Sequence, residues 1–178
     1  TNGKRAGDHV RVGYVSADFR RHSVASFLLP VLEHHSSLID VFCYSAVRGP
    51  DALTLRFQEL AGMGGNWRDI SGLNDLDAAH RVAEDDLDLL VDLGGHTAWN
   101  RLGVFLRGPA PVQVTWLGYP GTTGLSRMDY RLTDAVAEGR LGAAIRIFRQ
   151  LLFQKQTPVG LIIQIESLFQ NLLRFREY

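Results

Sequence analysis

Short apolar runs recur along this chain with helix-like stretches of about ten to fifteen residues between them, and that alternation restricts the fold more than any other feature. Val10 to Ser16 alternates apolar residues and reads as a first strand. Ser23 is placed to cap a helix running to about His35, with Phe27, Leu28, Val31 and Leu32 on one face. Asp40 to Ala46 reads as a second strand and Asp51 to about Ala61 as a second helix. An extended piece at Asn66 to Ile70 follows, then a helix from Asn74 or Asp75 through about Asp85 with Ala78, Ala79 and Val82 facing inward. Leu87 to Leu93, Val112 to Leu117 and Tyr130 to Thr133 complete the strands, with a short helix near Asn100 to Leu106. Strands joined through helices pair in parallel, because a hairpin turn cannot connect them. The expectation is an α/β fold, a Rossmann-like and mostly parallel sheet flanked by helices.

The chain's 178 residues amount to one domain with a substantial core. Its nineteen basic and nineteen acidic residues cancel, so no charge excess argues for nucleic acid or an anionic membrane as partner. A single cysteine, Cys43, lies in an apolar strand-like run. That excludes a disulfide framework and a cysteine metal site, and leaves Cys43 a small buried hydrophobe. No segment has the length and apolarity of a membrane span, and the polar lead at residues 1–9 is no signal peptide. A cytoplasmic protein is expected. Composition changes after about Ala137: no Asp occurs beyond Asp134, and five of the seven isoleucines follow it. The expected division is therefore a lead at 1–9, a Rossmann-like lobe at 10–136 and a divergent helical tail at 137–178, with an amphipathic stretch from Gly160 to Arg176.

Three loops follow predicted strands, and a doubly wound sheet brings such loops to one edge. The first, Ser16 to His22, carries Asp18 and His22 ahead of a helix. Asp18 could act as a base or orient one, and a histidine there could accept a proton or donate a hydrogen bond. Taken alone, these residues favour the plainer reading, in which Asp18 caps its own loop and His22 faces solvent. The second loop is Gly94-Gly95-His96-Thr97, whose paired glycines allow backbone amides close to a phosphate or sugar. The third, Arg107 to Gly124, holds three of the six prolines and four of the eighteen glycines. It is either an ordinary tight turn or a ligand-binding wall, and Thr122 and Thr123 place two hydroxyls beside it. Other candidates fail sooner. Asp85-Asp86-Leu87-Asp88 precedes a strand and reads as a solvated helix end, and His80 as a surface residue. His34 and His35 adjoin on a helix and cannot converge on a metal. No phosphate-binding Gly-Lys-Ser, Gly-x-Gly-x-x-Gly or Gly-x-Ser-x-Gly fingerprint follows a strand.

Taken together, the loops carry a resemblance that single motifs do not. Arg11 to Phe19 (RVGYVSADF), His22-Ser23 and Val41 to Ser45 (VFCYS) resemble the start of the catalytic region in the protein O-GlcNAc transferase family. Leu89 to Thr97 (LLVDLGGHT), Arg107 to Gly124 and Met128 to Asp134 (MDYRLTD) continue the match in the same order. Tyr44 to Val47, Trp67 to Ile70 and His96 to Ala98 also resemble the plant SPINDLY branch, which transfers fucose. The match spans about Val10 to Ala135, and its Trp-Leu-Gly-Tyr-Pro-Gly motif is highly specific.

The resemblance implies the first lobe of a GT-B glycosyltransferase, which moves a sugar from a nucleotide donor to Ser or Thr hydroxyls of proteins with inversion and without a catalytic metal. By position, Asp18 and His22 match family residues close to the reaction centre. Leu117, Gly118 and Pro120 match positions that touch the donor sugar or its phosphates, and Tyr119 between them joins the same donor-binding set. Gly95, His96 and Thr97 lie beside them. The implied co-substrate is UDP-GlcNAc or GDP-fucose, with no resident cofactor, and the implied partners are protein acceptors. The family's second lobe and its tetratricopeptide repeats have no counterpart in these residues, and the likeness fades after about Ala137. The chain is therefore expected to be a fragment with little or no transferase activity alone, its tail fitting a frameshifted, truncated or misassembled product. The alternative is a non-catalytic α/β module that docks a partner or binds a sugar through its exposed face.

Overall fold

Along the chain run β1 (Val10–Ser16), α1 (Ser23–His34), β2 (Ile39–Ser45), α2 (Ala52–Leu60), β3 (Trp67–Asp69), α3 (Asp75–Glu84), β4 (Leu89–Asp92), α4 (Leu102–Phe105), β5 (Gln113–Thr115) and β6 (Tyr130–Arg131). The structure is a computed structural model and describes residues 9–62 and 65–131. Residues 1–8 of the expected lead at 1–9, the end of the last strand at Thr133 and the tail at 137–178 lie outside the described residues. The six strands form one parallel sheet in the order β3-β2-β1-β4-β5-β6. This is the Rossmann order expected from the alternation.

β1 occupies the centre. It pairs with β2 from Val10↔Ile39 to Ser16↔Ser45, and with β4 from Val12↔Leu89 to Val15↔Asp92. The chain winds outward through β2 to β3, then returns to β4 on the other side. Because such crossovers keep one hand, reversing direction moves the helices to the opposite face. Two cores result. Val12, Tyr14, Val41, Cys43, Leu89 and Val91 pack with Val24, Leu28, Val31 and Phe57 of α1 and α2. Their alternates Val15, Phe42, Tyr44 and Leu90 pack with Ala78, Ala79 and Val82 of α3 and Val104 and Phe105 of α4. The period of two along each strand thus assigns successive side chains to different layers. Cys43 is fully buried, as expected, and burial pushes its thiol well above the usual range.

Three local expectations are corrected. Ser23 does not cap α1: it is the first helical residue, and the His22 side chain caps instead, its Nδ1 accepting from the Val24 amide at 3.3 Å. Phe27 is 56 % exposed rather than facing the core, while Val24 and Ala25 take the inward stripe with Leu28, Val31 and Leu32. The Asp85 end of α3 is not solvated. Its carboxylate takes a forked pair from Arg68, with Nη2 to Oδ1 at 2.7 Å and Nε to Oδ2 at 3.2 Å, and the Tyr44 hydroxyl donates to it at 2.7 Å. Asp88 accepts from the Arg11 amide at 2.9 Å, tying β1 to the entry of β4. His80 is exposed, in keeping with its surface assignment.

Asp85→Ala should lower the unfolding free energy by about 2 kcal/mol, because it strands the part-buried Arg68 and Tyr44 partners. Urea denaturation reads this directly; an unchanged midpoint would refute the role given to the pair.

Candidate functional site

Strand order reverses between β1 and β4, so the crevice of the sheet opens beyond their carboxyl ends. The loop after β1 enters that crevice on a folded turn. The Asp18 amide donates to the Ser16 hydroxyl at 2.9 Å, and Phe19 is fully buried against Phe57 at 5.2 Å and Trp67 at 5.5 Å between ring centres. The Arg21 amide donates to Asp51 at 2.7 Å, which holds that carboxyl below its usual range and fixes the loop to the start of α2. Asp18 is nearly buried, with one carboxylate oxygen 3.6 Å from Arg20 Nη2 and the other 3.6 Å from His22 Nδ1. The two residues singled out in this loop are therefore neighbours.

The loop after β4 is built on Asp92, which the sequence reading did not single out. Its carboxylate, 2 % exposed, accepts from the Gly94 amide at 3.0 Å, the Gly95 amide at 2.9 Å and the Thr115 hydroxyl at 2.7 Å. Burial raises its pKa, while those three donors and the neighbouring His96 ring pull the other way. The signal was present in the sequence: a carboxylate ending an apolar strand just before two glycines is set to bind the amides of its own turn. The Thr97 hydroxyl then donates to the Gly94 carbonyl at 2.8 Å and closes the loop.

The loop after β5 is interlocked with the second. The Gly118 amide donates to the Trp116 carbonyl at 3.0 Å, with Leu117 between them at φ +77°. This is a three-residue turn of the rare positive-φ kind, costing on the order of 1–3 kcal/mol for a leucine. Gly118 cannot be larger, since a Cβ there would overlap the Leu93 carbonyl oxygen. Gly95, at φ +52°, likewise leaves room only for the Tyr119 side chain. His96 Nε2 lies 3.0 Å from the Thr123 carbonyl oxygen, and its ring meets the Tyr119 ring edge-on at 5.4 Å. Arg131 donates to the Pro120 carbonyl at 2.7 Å. Gly95, His96, Thr97, Leu117, Gly118, Tyr119 and Pro120 thus form one connected wall.

Asp18 and His22 stand at the adjacent strand end, and no hydrogen bond links them to that wall among the described residues. A second feature missed from sequence bridges the loops that follow β2 and β4. The Arg48 guanidinium stacks 3.6 Å from the centre of the Trp99 ring, and Trp99 is 56 % exposed at φ +63°. Among the described residues no group of three or more His, Cys, Asp or Glu side chains is arranged to hold a metal ion. No described helix is long and apolar enough to cross a membrane.

Two substitutions test this construction. Asp92→Ala removes the acceptor of three buried donors and should cost about 3 kcal/mol of stability by chemical denaturation. Gly118→Ala should cost a comparable 3 kcal/mol or so, because backbone rather than a movable side chain stands in the way. A native-like melting temperature for Gly118→Ala would mean that the two loops are not in contact.

Residues 1–158 match the family model described as glycosyl transferase family 41. Over 139 residues the chain is 49 % identical to an Oryza sativa subsp. japonica protein named "Probable UDP-N-acetylglucosamine--peptide N-acetylglucosaminyltransferase SPINDLY". That match covers 77 % of this chain and 15 % of the rice protein. A Caenorhabditis elegans protein named UDP-N-acetylglucosamine--peptide N-acetylglucosaminyltransferase is 37 % identical over 132 residues, which is 73 % of this chain and 11 % of its own length. Among solved structures, a mutant O-GlcNAc transferase of Thermobaculum terrenum superposes with a TM-score of 0.65 at 45 % identity, covering 69 % of this chain and 23 % of that one. The chain therefore spans about a seventh of the length of the rice relative that it matches. The parallel sheet, the crevice loops and these matches agree, and the chain belongs to glycosyl transferase family 41.

Proposed function

We propose that residues 10–136 are the first catalytic lobe of a protein O-glycosyltransferase, in which the three crevice loops form one wall of a sugar-transfer cleft. The observation that carries this reading is the wall itself. Loops from β4 and β5 are locked together through Asp92, His96 and Gly118 beside the Asp18–His22 loop, at the sheet edge where ligands of such folds sit. The substrate is a nucleotide sugar, UDP-GlcNAc or GDP-fucose, and the acceptor a Ser or Thr hydroxyl of a protein. The transfer inverts the anomeric centre and uses neither a metal nor a resident cofactor. The similar proteins named for peptide N-acetylglucosaminyl transfer favour UDP-GlcNAc as donor.

The wall can supply preorganised backbone and a polar rim, but a departing diphosphate needs several cationic or dipolar partners at once. Of the three loops, the first offers Arg20 and Arg21, and neither lies in the interlocked wall. A second lobe facing this one completes the site, so these residues by themselves hold the donor weakly.

Titration of the chain with UDP-GlcNAc and with GDP-fucose, followed by backbone amide NMR, tests the reading. One donor should shift amides of Gly94–Thr97 and Leu117–Tyr119, with little or no transfer to acceptor peptide. Robust turnover would overturn the single-lobe reading; shifts confined to other surfaces would overturn the site.

A further inference from the structure

The hydrogen bonds of the two crevice histidines leave opposite nitrogens available. A carbonyl oxygen can only accept, so His96 Nε2, 3.0 Å from the Thr123 carbonyl, must carry a proton. In the neutral ring its Nδ1 then holds an unshared pair, and this side chain is exposed. An amide N–H can only donate, so His22 Nδ1, 3.3 Å from the Val24 amide, must be the unprotonated nitrogen of its ring. Its remaining nitrogen, Nε2, is therefore a donor. The first helical turn has thus taken the lone pair that a base would need. Asp18 lies 3.6 Å from the same His22 nitrogen, beyond hydrogen-bond range, so the assignment rests on the Val24 amide.

On these grounds, and resting on the transferase reading above, we propose that His96 is the proton-accepting histidine of the crevice, while His22 acts there only as a hydrogen-bond donor. In the transfer step the acceptor hydroxyl oxygen bonds to the anomeric carbon of the sugar. The bond from that carbon to the phosphate oxygen breaks, and its electron pair leaves with the nucleoside diphosphate. The hydroxyl proton passes to His96 Nδ1, giving an imidazolium that releases it to solvent. His22 Nε2–H can meanwhile donate to an anionic oxygen of the donor. The Thr123 carbonyl holds the His96 ring through the proton on Nε2, and Tyr119 backs it edge-on. Both contacts come from the loop after β5, so the base is set by the interlock of two loops.

The unshared pair of a neutral imidazole attacks a carbonyl carbon of diethyl pyrocarbonate, which makes the assignment measurable without any ligand. Peptide mapping of the treated chain, with exposed His80 as the internal reference, should show His96 modified roughly fivefold faster than His22. That factor corresponds to one net hydrogen bond that must open at His22. His22 and His96 are both exposed residues. Nitrogen NMR of the imidazoles near neutral pH gives a second reading. Protonated Nε2 on both rings is expected, with Nδ1 of His22 alone hydrogen-bonded to a backbone amide. Equal or reversed modification rates, or a His96 protonated on Nδ1, overturn the proposal. Neither outcome depends on donor binding, so failure here is distinct from failure of the donor titration.

Discussion

The buried Asp92 carboxylate is the contact on which the crevice depends. It sits at the last residue of β4, where the chain must leave the sheet and turn, and it accepts both amides of that turn together with a hydroxyl from β5. An uncompensated carboxylate at this depth would cost several kcal/mol or more, so the site exists only because three donors converge on it. The same convergence carries geometric information. It fixes Gly95 where Tyr119 fills the space that a side chain would take, and it presents His96 to the Thr123 carbonyl. Remove the carboxylate, and the second and third loops lose their common reference.

The cost of that arrangement appears one strand away. Leu117 adopts φ +77°, a conformation leucine resists, and the Trp116–Gly118 hydrogen bond holds it there. Glycine at 118 allows the backbone to press against the Leu93 carbonyl. Strain held by packing on both sides is a common property of ligand walls, because a relaxed loop would not keep one shape. The prolines noted in the sequence act at the margins: Pro120 offers its carbonyl to Arg131, which braces the loop from β6.

Most of the fold was legible because its signals are local and repeat. The period-two pattern of β1 and β2 places alternate residues in the two cores, and Asn74 and Asp51 cap α3 and α2 where the sequence put helix starts. What was not legible required knowledge of neighbours. The cap of α1 belongs to His22 because the chain after the buried Phe19 brings that ring, not the Ser23 hydroxyl, over the first turn. Phe27 fits the apolar stripe by spacing, yet α1 rolls so that Ala25 meets the core instead. Asp85 looked like a solvated helix end because Arg68 and Tyr44 lie far from it in sequence. In the site, the loops were found as motifs, but their interlock and the role of Asp92 arise only once β4 and β5 pair.

That distinction bears on how a histidine should be read from sequence. His22 attracts notice as a candidate for proton transfer because it follows Asp18 at a helix start. In the structure His22 Nδ1 accepts the Val24 amide, and that hydrogen bond occupies its lone pair. His96 attracts less notice, since Gly-Gly-His-Thr reads first as a place for backbone to meet phosphate. Its position across from a carbonyl of another loop is what frees the opposite nitrogen. The chemistry of each imidazole is thus decided by a backbone group, one from its own helix and one from a loop 27 residues away. Side-chain identity nominates a residue for proton transfer, and backbone geometry selects which nominee can perform it.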